Sequence, residues 1–172
     1  ELKETLIRHG LQLIGDEPLK LTIAAKSIGF TGAALAALLK GAGIYPEFYD
    51  PDFLVLMLSP LNGEGDLRRL SDALLAIEQK PAIASALPPL PRPKRALSVR
   101  EAIFAPSELL PVGQCRGRIC AEAAINCPPA VPIVVCGEEV DAYSIECFRY
   151  YGVETCRVVK ESPVYTILAT YR

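Results

Sequence analysis

Six cysteines are the most reactive residues of this sequence, and all of them lie in its last third. They are Cys115, Cys120, Cys127, Cys136, Cys147 and Cys156. No two have the C-x-x-C spacing of structural zinc sites, and the single histidine, His9, is remote in sequence. Since the cysteines lie among Ile, Val and Ala, we expect reduced thiols that pack as small buried hydrophobic groups. A cysteine-based metal or redox protein is the alternative interpretation.

The other candidate catalytic groups are isolated in the sequence. The segment 62–65, N-G-E-G, lacks the Lys and Ser/Thr of a phosphate-binding glycine loop and indicates a plain loop before a helix. Glu138 and Glu139 are adjacent carboxylates, but neighbouring residues at a strand end point in opposite directions. His9 has no partner pattern for nucleophilic catalysis, so we expect it to be a surface or packing residue. The residues alone therefore predict no catalytic site and no metal site.

Composition excludes several classes of protein. The chain has 172 residues, 51% of them hydrophobic and 22% charged, which is typical of a globular protein with a core. A net charge of −2 without a dense basic face argues against a nucleic-acid partner, and the small basic cluster Arg92, Lys94 and Arg95 is expected to be a solvated part of the linker. The longest apolar run, 53–58, is far shorter than the roughly 20 residues of a membrane span. The charged N-terminal residues do not form a signal peptide, so we expect a cytoplasmic protein without a membrane partner.

Hydrophobic periodicity divides the first 80 residues into the order α-β-α-β-β-α. Thr31 is the expected N-cap of the second helix, and Asp66 that of the third. The first helix should carry two apolar stripes, of which its own domain can bury one, so the other should promote self-association. The predicted elements are a helix over 2–14, a strand over 19–24, a helix over 31–40, strands over 47–49 and 53–58, and a helix over 66–77.

A proline-rich segment over 81–96 predicts an extended linker, and the remaining residues form a second pattern. Ser98 and Glu101 have the spacing of a capping box at the start of a helix. The sequence thus predicts domains over 1–80 and 97–172, joined by the linker. The predicted elements of the second domain are a helix over 98–105, strands over 118–125 and 132–135, a helix over 140–151, and strands over 155–159 and 164–170.

Three segments of the second half carry a recognisable signature. They are A-L-S-V-R-E-A-I-F-A-P-S-E at 96–108, G-R-I-C-A-E at 117–122 and C-P-P-A-V-P-I-V-V-C-G-E at 127–138. They resemble A-L-x-x-R-E-A-x-F-A-P-S-E, G-R-I-x-A-E and Y-P-P-G-I-P-x-x-x-P-G-E of the bacterial Orn/Lys/Arg decarboxylases, which are fold-type I enzymes dependent on pyridoxal phosphate. In the first half, K-L-T-I at 20–23, G-F-T-G at 29–32 and G-I-Y-P-E at 43–47 resemble the small domain of the same family.

The resemblance implies an α+β fold with two parts. Residues 1–80 would be an aminotransferase-like small domain with the order α-β-α-β-β-α, and residues 97–172 a small α+β C-terminal decarboxylase domain. The sequence departs from the family pattern at Cys127, Ala130 and Cys136, where the family has Tyr, Gly and Pro. Ala130 would be strained if that position requires a positive φ.

The resemblance also implies a function. Family members remove the α-carboxylate of arginine, lysine or ornithine, releasing CO₂ and a polyamine-type amine. Their Schiff-base lysine lies in a Ser-x-His-Lys motif of the large domain, whereas no lysine of this chain follows a histidine. We therefore expect a C-terminal fragment, inactive by itself, with no catalytic or cofactor-binding residue.

The implied partners are the large pyridoxal-phosphate-binding domain of the same chain and a second subunit of a homo-oligomer. A non-enzymatic interaction or regulatory module of the same fold is the alternative. The motif residues that the resemblance places at the substrate entrance are Ser107, Glu108, Pro128, Pro129 and Glu138.

We predict that the chain binds no pyridoxal phosphate covalently, because it lacks the His-Lys dipeptide and a phosphate loop. The chain is mixed with the cofactor, reduced with borohydride, digested and analysed by mass spectrometry. Sparse labelling of several exposed lysines is expected. One stoichiometric pyridoxyl-lysine would contradict the prediction.

Overall fold

A computed structural model describes residues 1–84, 87–127 and 131–161. The chain forms two compact units, Glu1–Ser85 and Ala86–Arg172. The boundary between them lies within the proline-rich segment 81–96. Each unit has hydrophobic clusters of its own.

The first unit is built on a four-stranded antiparallel sheet. The strand order is β1-β2-β4-β3, with β2 and β4 at the centre. Along β2 the side chains alternate between half-buried and buried, as expected for a strand with one face on a core. The strands are β1 (Leu13–Ile14), β2 (Lys20–Ala24), β3 (Phe48–Tyr49) and β4 (Phe53–Met57).

Three helices complete the first unit: α1 (Leu2–Arg8), α2 (Gly32–Gly41) and α3 (Glu64–Leu75). Thr31 caps α2 as predicted, since its hydroxyl oxygen accepts a hydrogen bond from the amide of Ala34. The core consists of apolar residues from all three helices and from β2 and β4. Its largest fully buried side chains are Leu6, Leu21, Ile23, Ile28, Leu35, Leu39, Leu54 and Leu74.

The predicted N-terminal helix is too long. It ends at Arg8, because Gly10 has a φ of +97° and turns the chain toward β1. The two apolar stripes therefore do not share one helix. Leu6 and Leu11 are both buried, whereas Ile7 and Ile14 are exposed on different elements.

Helix α3 begins earlier than predicted. Its N-cap is Gly63, and Asp66 is the third residue of the helix. The Asp66 carboxylate accepts a hydrogen bond from the Gly63 amide at 3.3 Å, so it still satisfies a free donor at the helix start. Leu70 and Leu74 face the core as expected.

In the described residues of the second unit there are two helices and two small antiparallel sheets. Strand β5 pairs with β8, and β6 pairs with β7. Asp141 caps α5 by accepting the amide of Ser144 at 2.6 Å. The elements are α4 (Val99–Phe104), β5 (Ser107–Pro111), β6 (Ala124–Cys127), β7 (Val131–Val135), α5 (Ala142–Tyr150) and β8 (Thr155–Val159).

The capping box of α4 is confirmed in both directions. The Ser98 hydroxyl accepts the Glu101 amide, and the Glu101 carboxylate accepts the Ser98 amide at 2.8 Å. The predicted strand over 118–125 is wrong as a continuous element, because Ile119 and Cys120 form only isolated bridges and β6 begins at Ala124. Strand β5 was not predicted. The predicted strand over 164–170 and the substitution at Ala130 lie outside the described residues.

The described elements form a mixed α+β structure, as predicted. In the first unit the order α-β-α-β-β-α is completed by the short strand β1 and a 3₁₀ turn over Ala25–Ile28. The correspondence of residues 1–80 to an aminotransferase-like small domain, and of residues 97–172 to a decarboxylase domain, stays a prediction at this point.

The turn between β3 and β4 holds a buried carboxylate. Asp50 Oδ1 accepts the amides of Asp52 at 2.7 Å and Phe53 at 2.6 Å. Burial raises the pKa of the Asp50 carboxyl, while the two amides act in the opposite direction. The turn packs closely on Gly32, where a Cβ would lie 2.1 Å from the Phe53 carbonyl oxygen. Only glycine fits there.

Replacing Asp50 tests its hydrogen bonds separately from its charge. Asp50→Ala leaves two backbone amides without their acceptor and should cost the first unit about 1–3 kcal/mol of unfolding free energy. Asp50→Asn keeps an acceptor oxygen and should cost less. Hydrogen exchange of the β4 amides measures either change. Equal losses in the two variants would contradict this assignment.

The raised pKa of Asp50 predicts that the stability of the first unit depends on pH. Because the folded pKa of Asp50 is raised, its contribution to stability is fully present below its unfolded pKa of about 4 and is lost as the pH rises through the folded value. Asp50→Asn removes this loss. We expect the stability of Asp50→Asn relative to the native chain to improve from pH 3.5 to pH 7. An unchanged difference would contradict the raised pKa.

Candidate functional site

The candidate entrance residues that the structure describes lie in the second unit. Ser107 and Glu108 begin β5, opposite Val159 and Val158 of β8. Glu138 follows β7 in a turn. Pro128 and Pro129 lie outside the described residues. The structure therefore reports on three of the five candidates.

Arg118 organises the polar contacts around Glu108. Its Nη2 donates to Glu108 Oε1 at 2.7 Å and to the Val159 carbonyl oxygen at 2.9 Å. Its Nε lies 3.6 Å from Glu161 Oε1. The guanidinium is largely buried, while the Glu108 side chain is more exposed. Arg118 therefore links the Glu108 side chain of β5 to the Val159 carbonyl oxygen of β8.

Sequence reasoning did not single out Arg118. The partners are ten residues apart, across a turn in which Gly117 has a φ of +77°, and no helix or strand period connects them. The G-R-I-C-A-E motif contained the residue but gave no indication of its partner. Only the fold brings the pair together.

Glu138 has a structural partner of its own. Its Oε2 accepts the Val135 amide at 2.8 Å, which closes the turn after β7. Gly137 in this turn has a φ of +92°, and a Cβ there would lie 2.3 Å from the Leu97 carbonyl oxygen. The amides of Ala96 and Leu97 both donate to the Gly137 carbonyl oxygen. Glu138 therefore stabilises a tight crossing of two segments.

One segment connects the two acidic positions. The Cys120 amide donates to the Glu138 carbonyl oxygen at 2.8 Å, and the Gly137 amide donates to the Cys120 carbonyl oxygen. On the other side, the Val159 amide donates to the Ile119 carbonyl oxygen at 2.8 Å. The segment 118–121 thus lies between the Glu138 turn and β8.

The side chains expected to pack as small buried hydrophobic groups are buried and form no disulfide at Cys115, Cys120, Cys136, Cys147 and Cys156. Cys136, where the family has Pro, is accommodated without exposure, and its thiol donates to the Val99 carbonyl oxygen at 3.8 Å. Burial raises the pKa of the Cys136 and Cys115 thiols. The side chain of Cys127 is outside the description.

The first unit contains a cleft of about 190 Å³. Its floor is apolar, and Asp66 and Arg69 lie on its polar side, 4.0 Å apart. No lysine lines it, so this part of the structure offers no amine for a Schiff base. The lining residues are Gly43, Ile44, Tyr45, Leu56, Met57, Leu58, Asn62, Asp66, Leu67, Arg69 and Leu70.

The lysines of the first unit are engaged elsewhere. Lys26 pairs with Asp52 at 2.8 Å in a largely buried ion pair. Lys80 lies 4.6 Å from the centroid of the Phe30 ring. In the described ranges no group of three or more His, Cys, Asp or Glu side chains could hold a metal ion. Lys26 and Lys80 thus have contacts away from the cleft.

Comparison with known proteins decides the family. The Orn/Lys/Arg decarboxylase C-terminal domain matches residues 79–163, a range that contains all three motif segments of the second half. Residues 79–163 therefore belong to the Orn/Lys/Arg decarboxylase family, as its C-terminal domain. The chain is 30% identical to a protein of Bacillus subtilis strain 168 named arginine decarboxylase, over 138 residues that make up 75% of this chain. The uncharacterized protein YaaO of the same strain is 31% identical over 148 residues.

Solved decarboxylase structures share the fold. The constitutive lysine decarboxylase of E. coli superimposes with a TM-score of 0.58 at 17% identity over 84% of this chain. The lysine decarboxylase LdcF of Francisella novicida gives 0.62 at 15% identity over 87%. These matches confirm the mixed α+β fold. The 172-residue chain spans less than a third of the length of these proteins, between 28% and 32%.

Arg118 should be required for the stability of the second unit. Arg118→Met removes two hydrogen bonds and leaves a buried carbonyl oxygen without its donor, which should cost about 1–3 kcal/mol. Arg116 is exposed and two residues away, so Arg116→Met is the matched control and should change stability by less than about 0.5 kcal/mol. Hydrogen exchange of the β8 amides measures both. Equal effects would contradict the role of Arg118.

Proposed function

We propose that this chain is the C-terminal part of a larger pyridoxal-phosphate-dependent decarboxylase that acts on arginine, lysine or ornithine. The products would be CO₂ and a polyamine-type amine. The observation that carries the proposal is the family match over 79–163, extended into the first unit by the relative named arginine decarboxylase. A chain that spans 28% of that relative leaves room for a separate large domain.

The cofactor would belong to that large domain. When bound there, pyridoxal phosphate would supply the electron sink that decarboxylation requires. The lysines of this chain do not follow a histidine, and the described cleft has no lysine. The chain alone is therefore inactive in this proposal, and its own contribution is structural.

That contribution is to shape the approach to the active site. In this proposal residues 1–80 are the aminotransferase-like small domain, and residues 97–172 the decarboxylase C-terminal domain. Ser107, Glu108, Pro128, Pro129 and Glu138 line the substrate entrance. The Arg118–Glu108 ion pair supports this role, since it would hold one wall of the entrance in place.

The proposed partners are the large domain and a second subunit of a cytoplasmic homo-oligomer. Several large apolar side chains support such contacts, since Leu61 is 94% exposed, Phe104 79% and Tyr45 76%. In the described part of the chain, no helix has the length and apolar character needed to cross a membrane.

Decarboxylation by the complete protein tests the proposal. The complete reading frame that contains this sequence is expressed, and release of labelled CO₂ is measured from carboxyl-labelled arginine, lysine and ornithine with added cofactor. We expect release from at least one basic amino acid and none from leucine, which is the control substrate. The 172-residue chain should release none.

Two results would contradict the proposal. One is a reading frame that encodes no upstream Ser-x-His-Lys segment, with no activity on any basic amino acid. That result would favour the alternative, an interaction module that binds a decarboxylase without catalysing a reaction. The other is decarboxylation by the 172-residue chain itself.

A further inference from the structure

The loop that precedes α3 holds an asparagine side chain between a carboxylate and two backbone amides. Asn62 is followed by Gly63, the N-cap of α3, and Asp66 is the third residue of that helix. Residues 59–66 are all exposed, so water reaches this loop. An asparagine amide carbon can be attacked by the next amide nitrogen of the chain, and the hydrogen bonds of the loop bear on each group in that reaction.

The Asn62 side chain is the electrophile of this arrangement. Its Oδ1 accepts the Ser59 amide at 2.8 Å. A donor in this position polarises the side-chain carbonyl and stabilises the negative charge that forms on the oxygen when the carbon is attacked. The Asn62 amide donates to the Ser59 carbonyl oxygen at 3.0 Å, so the main chain of the turn keeps the Ser59 donor in place.

The Gly63 amide nitrogen is the nucleophile, and its hydrogen is already bonded to a carboxylate oxygen. Asp66 Oδ2 accepts the Gly63 amide at 3.3 Å. A carboxylate in this position can act as a general base, and hydrogen bonds of this kind are often long before the reaction begins. A Cβ at Gly63 would meet no atom within 4 Å, so nothing obstructs the movement of this peptide toward the Asn62 side chain.

We propose that Asn62 deamidates itself in the folded chain, with the Gly63 amide as nucleophile and Asp66 as its base. The Gly63 nitrogen bonds to Asn62 Cγ while the Asp66 carboxylate takes the amide proton. The Cγ–Nδ2 bond then breaks, and the side-chain nitrogen leaves with that proton as ammonia. The first product is a cyclic imide that joins positions 62 and 63.

Water completes the reaction. It adds to one of the two carbonyl carbons of the imide, the bond from that carbon to the ring nitrogen breaks, and the nitrogen takes up a proton from the water. Opening at Cγ leaves an aspartate at position 62, and opening at the main-chain carbonyl carbon leaves an isoaspartate. In total one water hydrolyses one amide and releases one ammonia, without a redox step or a cofactor.

Either product changes the cleft of the first unit. Asn62 and Asp66 both line this cleft, with Arg69 beside them. The reaction converts a neutral amide of the wall into a carboxylate, which gives the cleft a further negative charge. An isoaspartate also lengthens the main chain by one methylene directly before the N-cap of α3. Deamidation of Asn62 is thus a modification of the cleft and of the start of α3.

Asn126 provides an internal comparison, because it is the other asparagine of the chain. It lies in β6, where pairing with β7 holds the backbone extended. Cys127 follows it, and the Cβ of that residue hinders attack by its amide nitrogen. We therefore expect Asn126 to remain an amide under conditions that deamidate Asn62.

Mass spectrometry of the native 172-residue chain tests the proposal. The chain is incubated at pH 7, and samples are digested briefly with trypsin. The segments 41–68 and 119–149 each contain one asparagine and no glutamine, so deamidation at the two positions is measured separately. We expect two deamidated products of 41–68 with equal mass and different retention, and no change in 119–149.

The same incubation in urea separates the effect of the fold from that of the Asn-Gly sequence. Unfolding removes the bonds from Ser59 and to Asp66 but keeps the sequence. The folded chain should therefore deamidate at position 62 at least about tenfold faster than the unfolded chain. A folded rate that is equal to the unfolded rate, or below it, would overturn the proposal.

A variant of Asp66 tests the base. Asp66→Asn keeps an acceptor oxygen for the Gly63 amide but removes the base, so deamidation should slow at least about tenfold. Asp72→Asn removes the same charge from an exposed position of the same helix and should keep the native rate. A purely structural role of Asp66 would leave the rate unchanged or raise it in Asp66→Asn, and either result overturns the proposal. If that variant does not fold, the comparison of folded and unfolded native chain still decides the matter.

Discussion

The second unit depends on the backbone of one short segment, 118–121. Its hydrogen bonds alternate between two sides: Arg118 and Cys120 bond to 137–140, and Ile119 and Ala121 bond to β8. A segment that is hydrogen-bonded on both sides fixes the register of the two segments that flank it. The Arg118 guanidinium contacts Val159 because this register brings its side chain over the end of β8.

Local signals predicted much of the fold. The capping box at Ser98 and the N-cap at Thr31 depend on contacts within one helical turn, so the sequence contains all the information needed. The alternation along β2 is equally local. One failure is local: α1 ends where Gly10 turns the chain. The other involves long-range contacts, because 118–121 is divided between two neighbours that are distant in sequence. Periodicity cannot represent either constraint.

The candidate site was only partly predictable, because the sequence does not indicate which groups its side chains bind. Motif resemblance selected Glu108 and Glu138, but it could not find the groups that bind their carboxylates. Glu108 binds a side chain from another segment, and Glu138 binds the Val135 amide of its own turn. An ion pair between partners ten residues apart, joined by a glycine turn, has no periodic signature in sequence.

The three family motifs contact one another in the fold. Glu108 of the motif at 96–108 binds Arg118 of the motif at 117–122. Cys120 of that second motif is hydrogen-bonded to Glu138 of the motif at 127–138. The third returns to the first where Gly137 crosses Leu97 so closely that a Cβ would not fit. These contacts give the motif residues a structural role, because they hold the three segments against one another.

The residues of the family signature in this domain therefore have structural roles. Gly137 is needed for a close backbone crossing and Arg118 for a largely buried ion pair. Ser98 and Glu101 are needed for the start of a helix. None of these tasks requires a bound cofactor. The motifs identify the fold and the family of this domain, and the proposed function assigns the reaction itself to the part of the relatives that this chain does not span.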